Sequence, residues 1–202
     1  MTGSEKYLLS FTAAGLILNE SIKIAEEYIR LGDWDLVNQT YQGKNLLQSR
    51  TVSRSQRVFQ EIKKRLIILS NHQIQTLVDG SIEEQKQILW FTVCKKYQFV
   101  NEFAVEIIHE KFLSMKTGLD DIDFDGFFIK KADWHPELNE ITPSTKTKLR
   151  TVLFRMLREA GILSEGNEII PSMPSLKVIE LIKNDGSVGL EIFPMYVGKS
   201  GE

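Results

Sequence analysis

Apolar residues recur at helical spacing along most of this chain, and helix caps fall in the gaps between recurrences. Residues 12–31 carry Leu16, Ile17, Ile24, Tyr28 and Ile29 at that period, and Gly32 ends the pattern. Asp33 then caps a short helix through Trp34 and Asp35, and residues 45–51 form a break. Three serines follow, each with a Gln or Glu three residues on: Ser53 with Gln56, Ser70 with Gln73, and Ser81 with Glu84. In such a capping box the hydroxyl takes the third amide while the longer side chain reaches back. The boxes predict helices to about Leu69, to Gly80 and to about Tyr97, and a further helix runs from about Phe99 to Met115. Joined this closely, the segments predict a helical bundle.

Thr117-Gly118 marks the expected boundary between a bundle domain, 1–118, and a second domain, 119–202. Asp120 to Trp134 reads as an acidic helix with Phe124, Phe127, Phe128 and Trp134, stopped by Pro136. In the next stretch Thr142 caps, Pro143 takes the first helical position, and Leu149, Val152, Leu153, Met156 and Leu157 form one apolar stripe. Gly161 ends that helix, and a turn at Ser164–Asn167 separates Ile162-Leu163 from Glu168-Ile169-Ile170. A capped helix followed by a small β-hairpin predicts a winged helix-turn-helix-like unit. A short helix from Ser175 to Lys183, a final strand from Leu190 to Phe193 and a loose tail from Gly198 to Glu202 complete a mainly α chain.

Charge changes this picture locally. The chain has a net charge of −2 and a pI near 6.0, which argues against coating nucleic acid indiscriminately. Yet Ile141 to Arg158 contains no acid and five bases: Lys146, Lys148, Arg150, Arg155 and Arg158. Lys148 and Arg155 share one flank of the apolar stripe, Arg150 lies on the other, and Arg158 opposite. The first turn of a reading helix supplies base contacts, which nominates Ser144, Thr145, Lys146 and Lys148. A second run, Arg50, Arg54, Arg57, Lys63, Lys64 and Arg65, meets a single acid, Glu61. There Val58, Phe59, Ile62, Leu66 and Leu69 make the buried face, and Arg57, Gln60 and Lys64 fall outward, available to phosphates. An ordinary solvated bundle face accounts for both runs equally well.

Other chemistry finds little support. Asp121, Asp123, Asp125 and Gly126 open like a calcium loop, but the twelfth position, where a bidentate Glu belongs, is Ala132. His109-Glu110 begins a zinc-protease motif that fails at Leu113, and Glu106 with His109 gives half of a di-iron pair with no second half. His135, between Trp134 and Pro136, reads as packed or capping. The lone cysteine, Cys94, sits among Trp90, Phe91 and Val93 as a small core residue, and a single cysteine fits a reducing compartment. No phosphate loop or nucleophile elbow is present, so no cofactor and no catalysis are expected. With no visible leader and no apolar run near the ~20 residues of a membrane helix, the expected location is the cytoplasm.

Five stretches stand in the order and spacing of a known family: Tyr7 to Ala13, Gly32 to Asp35, Asn45 to Thr51, Ala132 to Leu138 and Phe154 to Gly161. On these the chain resembles the BrxA proteins of bacteriophage exclusion (BREX) defence systems, over nearly its whole length. The resemblance implies a non-enzymatic, mainly helical protein that binds double-stranded DNA. Its helical part would be similar to the transcription factor NusB, and its partners would be the system's methyltransferase, phosphatase-like and ATPase components. Two other readings stay open: a scaffold docking on those proteins, and an RNA binder by the NusB likeness. The residues carried forward as DNA-contacting rest on charge and pattern alone. They are Arg50, Arg54, Arg57, Lys63, Lys64, Ser144, Thr145, Lys146, Lys148, Arg150, Arg155 and Arg158.

Overall fold

The computed structural model describes residues 6–13, 15–44 and 52–197, except the side chains of 42–44 and 52–54. After a 3₁₀ turn at Ser10–Ala13 come α1 (Leu18–Leu31), α2 (Trp34–Lys44), α3 (Val52–Leu66), α4 (Asn71–Asp79) and α5 (Ile82–Lys96). Helix α6 (Gln98–Phe103) runs through a π-helical segment, Ala104–His109, into α7 (Glu110–Leu113). Then follow α8 (Asp121–Ala132), α9 (Pro143–Glu159) and α10 (Leu176–Asp185), with 3₁₀ turns at Pro136–Leu138 and Leu190–Ile192.

Helix α5 is the hub. Ile88 to Cys94 is buried as an unbroken run, so the helix is covered on all sides and packs against α1, α3, α4, α6 and α10. Burial pushes the Cys94 thiol well above its ordinary pKa. The apolar core is one cluster that includes residues on both sides of Thr117-Gly118. Helices α3 and α9 lie outside the hub and bury single stripes. Phe59, Ile62 and Leu66 are buried on α3, and Leu149, Val152, Leu153, Met156 and Leu157 on α9, as their periodicity predicts, while Val58 is only half-buried and Phe154 is buried beside the α9 stripe.

The caps at Ser70 and Ser81 form as complete boxes, and Asp33 accepts from the Asp35 and Leu36 amides. Thr142 accepts from the Thr145 amide at 3.3 Å, and Gly161 enters the left-handed region at φ 74°. Ser53 does not hold the cap position that its pattern predicts. Val52 is already helical, so the serine lies inside the first turn. The predicted break at 45–51 and the tail from Gly198 to Glu202 lie outside the described residues.

Three further expectations are corrected. Leu16 and Ile17 are not helical, because the backbone ahead of α1 is pinned from two sides. The Gly15 carbonyl accepts from Arg65 Nη1 at 2.6 Å, and the Leu16 amide donates to Glu159 Oε2 at 2.5 Å. A Cβ on Gly15 would fall 2.5 Å from that same Glu159 oxygen. Ile17 absorbs the reversal at φ 56°, an unfavourable region for a β-branched side chain. The β-hairpin shrinks to one antiparallel bridge, Leu163 to Ile169, and Gly118 bridges Glu168 on the other side. Asn167 at φ 62° and Pro171 leave each arm too short for a ladder. The final strand is not formed: Leu190–Ile192 is a 3₁₀ turn, with Phe193 extended just after it. The segment's buried carbonyls are satisfied by side chains: Ile192 accepts from Trp90 Nε1 at 2.9 Å, and His109 Nδ1 lies 2.9 Å from the Phe193 oxygen.

Candidate nucleic-acid interface

A basic residue counts towards a phosphate site only if it is exposed and not already neutralised. By that criterion α3 divides sharply. Arg65 is buried, its Nε 2.8 Å from Glu61 Oε1, with only 3% and 4% of the two side chains exposed. The Tyr97 hydroxyl donates to the same carboxylate, so this pair belongs to the core. Burial first, then the hydrogen bond to Glu61, pushes the Tyr97 hydroxyl up to about 12. Lys63 is tied to Asp35 at 3.2 Å. Arg57, Gln60 and Lys64 are exposed along the outer face, and neither Arg57 nor Lys64 forms an ion pair among the described residues. Arg50 and the Arg54 side chain lie outside the described residues.

On α9 the neighbouring helix α8 takes up much of the charge. Lys146 Nζ lies 2.9 Å from Asp125 Oδ1 and over the Phe128 ring, 4.9 Å from its centroid. Arg150 reaches Asp121 Oδ2 at 2.9 Å and Asp125 Oδ2 at 3.8 Å. Arg158 is turned to Asn167 and lies 4.0 Å from Glu165 Oε2. Two cations remain outward. Lys148 is exposed with no ion pair among the described residues, and Arg155 is 51% exposed with a long contact of 3.7 Å to Glu159. Ser144, Lys148, Thr151 and Arg155 are all exposed and fall within about 60° on the helix surface, at 100° per residue. Thr145 is exposed beside them.

Both helices pack against the 3₁₀ turn Ser10–Ala13. Gly15-Leu16, just beyond it, is gripped by Arg65 of α3 and Glu159 of α9. One short segment therefore fixes the two basic helices relative to each other.

Sequence reasoning missed the neutralising role of α8, although its signal was present. Asp121 and Asp125 are spaced by four residues, and so are Lys146 and Arg150. Asp121 and Asp125 both face α9, whereas Asp123 between them faces Lys111 at 2.6 Å. Sequence reasoning also missed a part-buried network that ties the N-terminal segment to α6 and α8. The Tyr7 hydroxyl donates to Glu102 Oε2 at 2.5 Å, and Lys131 Nζ lies 2.5 Å from the same oxygen. His135 stacks on Tyr7 with centroids 3.7 Å apart. Burial opposes ionisation of Glu102, but hydrogen bonds from Lys131, Tyr7 and Gln98 outweigh it and hold its pKa below the ordinary value. No pattern within one helix announces contacts between residues this far apart in sequence.

No helix among the described residues is long and apolar enough to cross a membrane. A protein-family model described as BrxA matches residues 5–186. A BREX protein BrxA from Bacillus cereus (strain H3081.97) is 33% identical over 143 residues, 69% of this chain and 72% of that one. A BREX protein BrxA from Escherichia coli O9:H4 (strain HS) is 25% identical over 146 residues, 72% of this chain and 68% of that one. The fold is similar to the crystal structure of an uncharacterized protein from Magnetospirillum magneticum. The TM-score is 0.79 over 93% of this chain and 96% of that chain, at 20% identity. From the extent of the family match and the identity to the Bacillus cereus protein, the chain belongs to the BrxA family.

Proposed function

We propose that this chain is a non-enzymatic component of a BREX phage-defence system that binds double-stranded DNA through its phosphates. The observation that carries the reading is the segregation of outward cations, three without an ion pair among the described residues and Arg155 in an exposed, exchangeable one with Glu159. In a chain of net charge −2, Arg57 and Lys64 on α3 and Lys148 and Arg155 on α9 stand outward on two helices anchored to one segment. Ser144, Thr145 and Gln60 supply hydroxyls and an amide on the same faces for phosphate oxygens. Neither face presents the set of Arg, Asn and Gln side chains that reads base edges, so recognition is dominated by the backbone and steeply salt-dependent. We read α8 and α9 as a helix-turn-helix-like pair beside a NusB-like bundle, acting in the cytoplasm with the other proteins of the system. Arg50 and Arg54 extend the α3 face in this reading, whereas Lys63, Lys146, Arg150 and Arg158 contribute only when their partners release them.

Mobility shift of purified protein with a short duplex, in competition with structured RNA, tests the proposal. Retardation of the duplex at low salt, lost on raising salt and resistant to RNA, is expected. No retardation at low salt, or displacement by RNA at lower concentration than by duplex, overturns it. An exposed apolar face on α8 gives specific support to a second role in protein contact, through Ile122, Ile129 and, just beyond its end, Trp134.

A further inference from the structure

We infer that the peptide unit joining Gly15 to Leu16 is a bridge that sets the spacing of α3 and α9, with Glu159 as its positioning residue. A peptide unit is planar, with its carbonyl and its amide pointing opposite ways. Here the carbonyl accepts from Arg65 Nη1 of α3 at 2.6 Å, and the amide donates to Glu159 Oε2 of α9 at 2.5 Å. One rigid unit therefore spans the two helices. Each of them packs more extensively on the adjoining turn, Ser10–Ala13, than on the other helix.

The two ends of the bridge differ. Arg65 is buried and held by Glu61 at 2.8 Å, so the α3 end belongs to the core. Glu159 lies at the surface, and Arg155 stands one turn before it, the spacing at which an Arg and a Glu on one helix ordinarily pair. That pair stays open at 3.7 Å while the carboxylate is turned to the Leu16 amide. The bridge thus also withholds Glu159 from one of the outward cations. Gly15 makes room for this arrangement, since a Cβ there would lie 2.5 and 2.8 Å from the two Glu159 oxygens. Ile17, two residues on, is held at φ 56°, a conformation that a β-branched residue keeps only where its surroundings over-determine it.

The consequence for duplex binding rests on the reading of α3 and α9 as one phosphate surface; the geometry of the bridge does not. Two charged faces that meet one duplex gain most when their spacing is fixed beforehand.

Spin labels on Gln60→Cys and Thr151→Cys, an exposed position on each helix, report the spacing by pulsed electron paramagnetic resonance; Cys94 is buried and escapes labelling. The labelled pair is compared without DNA in wild type, Glu159→Gln, Glu159→Ala and Gly15→Ala. A glutamine oxygen still accepts from the Leu16 amide, an alanine does not, and a Cβ at position 15 displaces the Glu159 carboxylate. The distance distribution should stay narrow in wild type and Glu159→Gln and broaden in the other two. Thermal melting identifies a background that fails to fold, and the remaining variant of the broadened pair then carries the comparison. Without labels, Glu159→Ala should bind duplex about tenfold more weakly than Glu159→Gln, which has the same charge. If Glu159 only screened Arg155, the two would bind alike. A broad distribution in wild type, one distribution in all four backgrounds, or equal duplex binding by the two Glu159 variants overturns the inference. Absence of duplex binding in wild type overturns the functional reading instead, and the distances alone then decide the bridge.

Discussion

Helices α3 and α9 carry similar numbers of basic residues, yet the structure uses them differently. On α3 one cation is drawn into the core, where Arg65 and Glu61 form a buried pair, and the outward face is left clear. On α9 nothing basic is buried, but a separate helix holds Lys146 and Arg150 through Asp125 and Asp121. The difference separates two kinds of pairing. A buried pair is structural, because neither partner can return to water without unfolding. A pair on the surface is exchangeable, because it contributes only about 0.2–1 kcal/mol and another anion can replace it.

The largest effect should come from the buried pair. Arg65→Ala leaves Glu61 and its Tyr97 contact without a cation, and should cost about 3–5 kcal/mol of stability in urea unfolding. Lys64→Ala, one position earlier and exposed, should stay within about 0.5 kcal/mol. Equal losses would abolish the distinction between the two faces of α3.

A smaller effect is expected where α8 meets α9. Asp121→Asn with Asp125→Asn releases Lys146 and Arg150 without adding charge to α9. Duplex binding should tighten, and its salt dependence should steepen by up to about 0.9 for each cation that finds a phosphate. An unchanged slope would mean that Lys146 and Arg150 do not reach phosphate even when released, which leaves Lys148 and Arg155 as the α9 contribution. Smaller again is the cap. Thr142→Ala removes the acceptor for the Thr145 amide and should cost about 1 kcal/mol, leaving the salt slope as it was.

Local periodicity reports what one helix does by itself. The stripes on α3 and α9, the boxes at Ser70 and Ser81, the Thr142 cap and the Gly161 terminus each depend on residues within a few positions, and all were legible. The hairpin and the final strand were not. Both rest on where backbone polar groups find partners, and those partners are distant: Thr117 and Leu119 for one, Trp90 and His109 for the other. The candidate site was legible in the same measure. Outward faces could be drawn from angles, and Arg57, Lys64, Lys148 and Arg155 stand exposed on them. Neutralisation could not, because Asp121 and Asp125 belong to another helix. Ile17 shows the limit most clearly. An apolar residue in helical register becomes a strained turn because Arg65 and Glu159 hold the chain just before it.

The most direct measurement is the salt dependence of duplex binding for the wild type beside two paired reversals, Arg57→Glu with Lys64→Glu and Lys148→Glu with Arg155→Glu. If α3 and α9 serve one phosphate-tracking surface, each reversal weakens binding and flattens the log–log slope by about 0.9 per lost contact. Together they should bring binding close to zero. Wild-type affinity and slope in both variants would contradict the account.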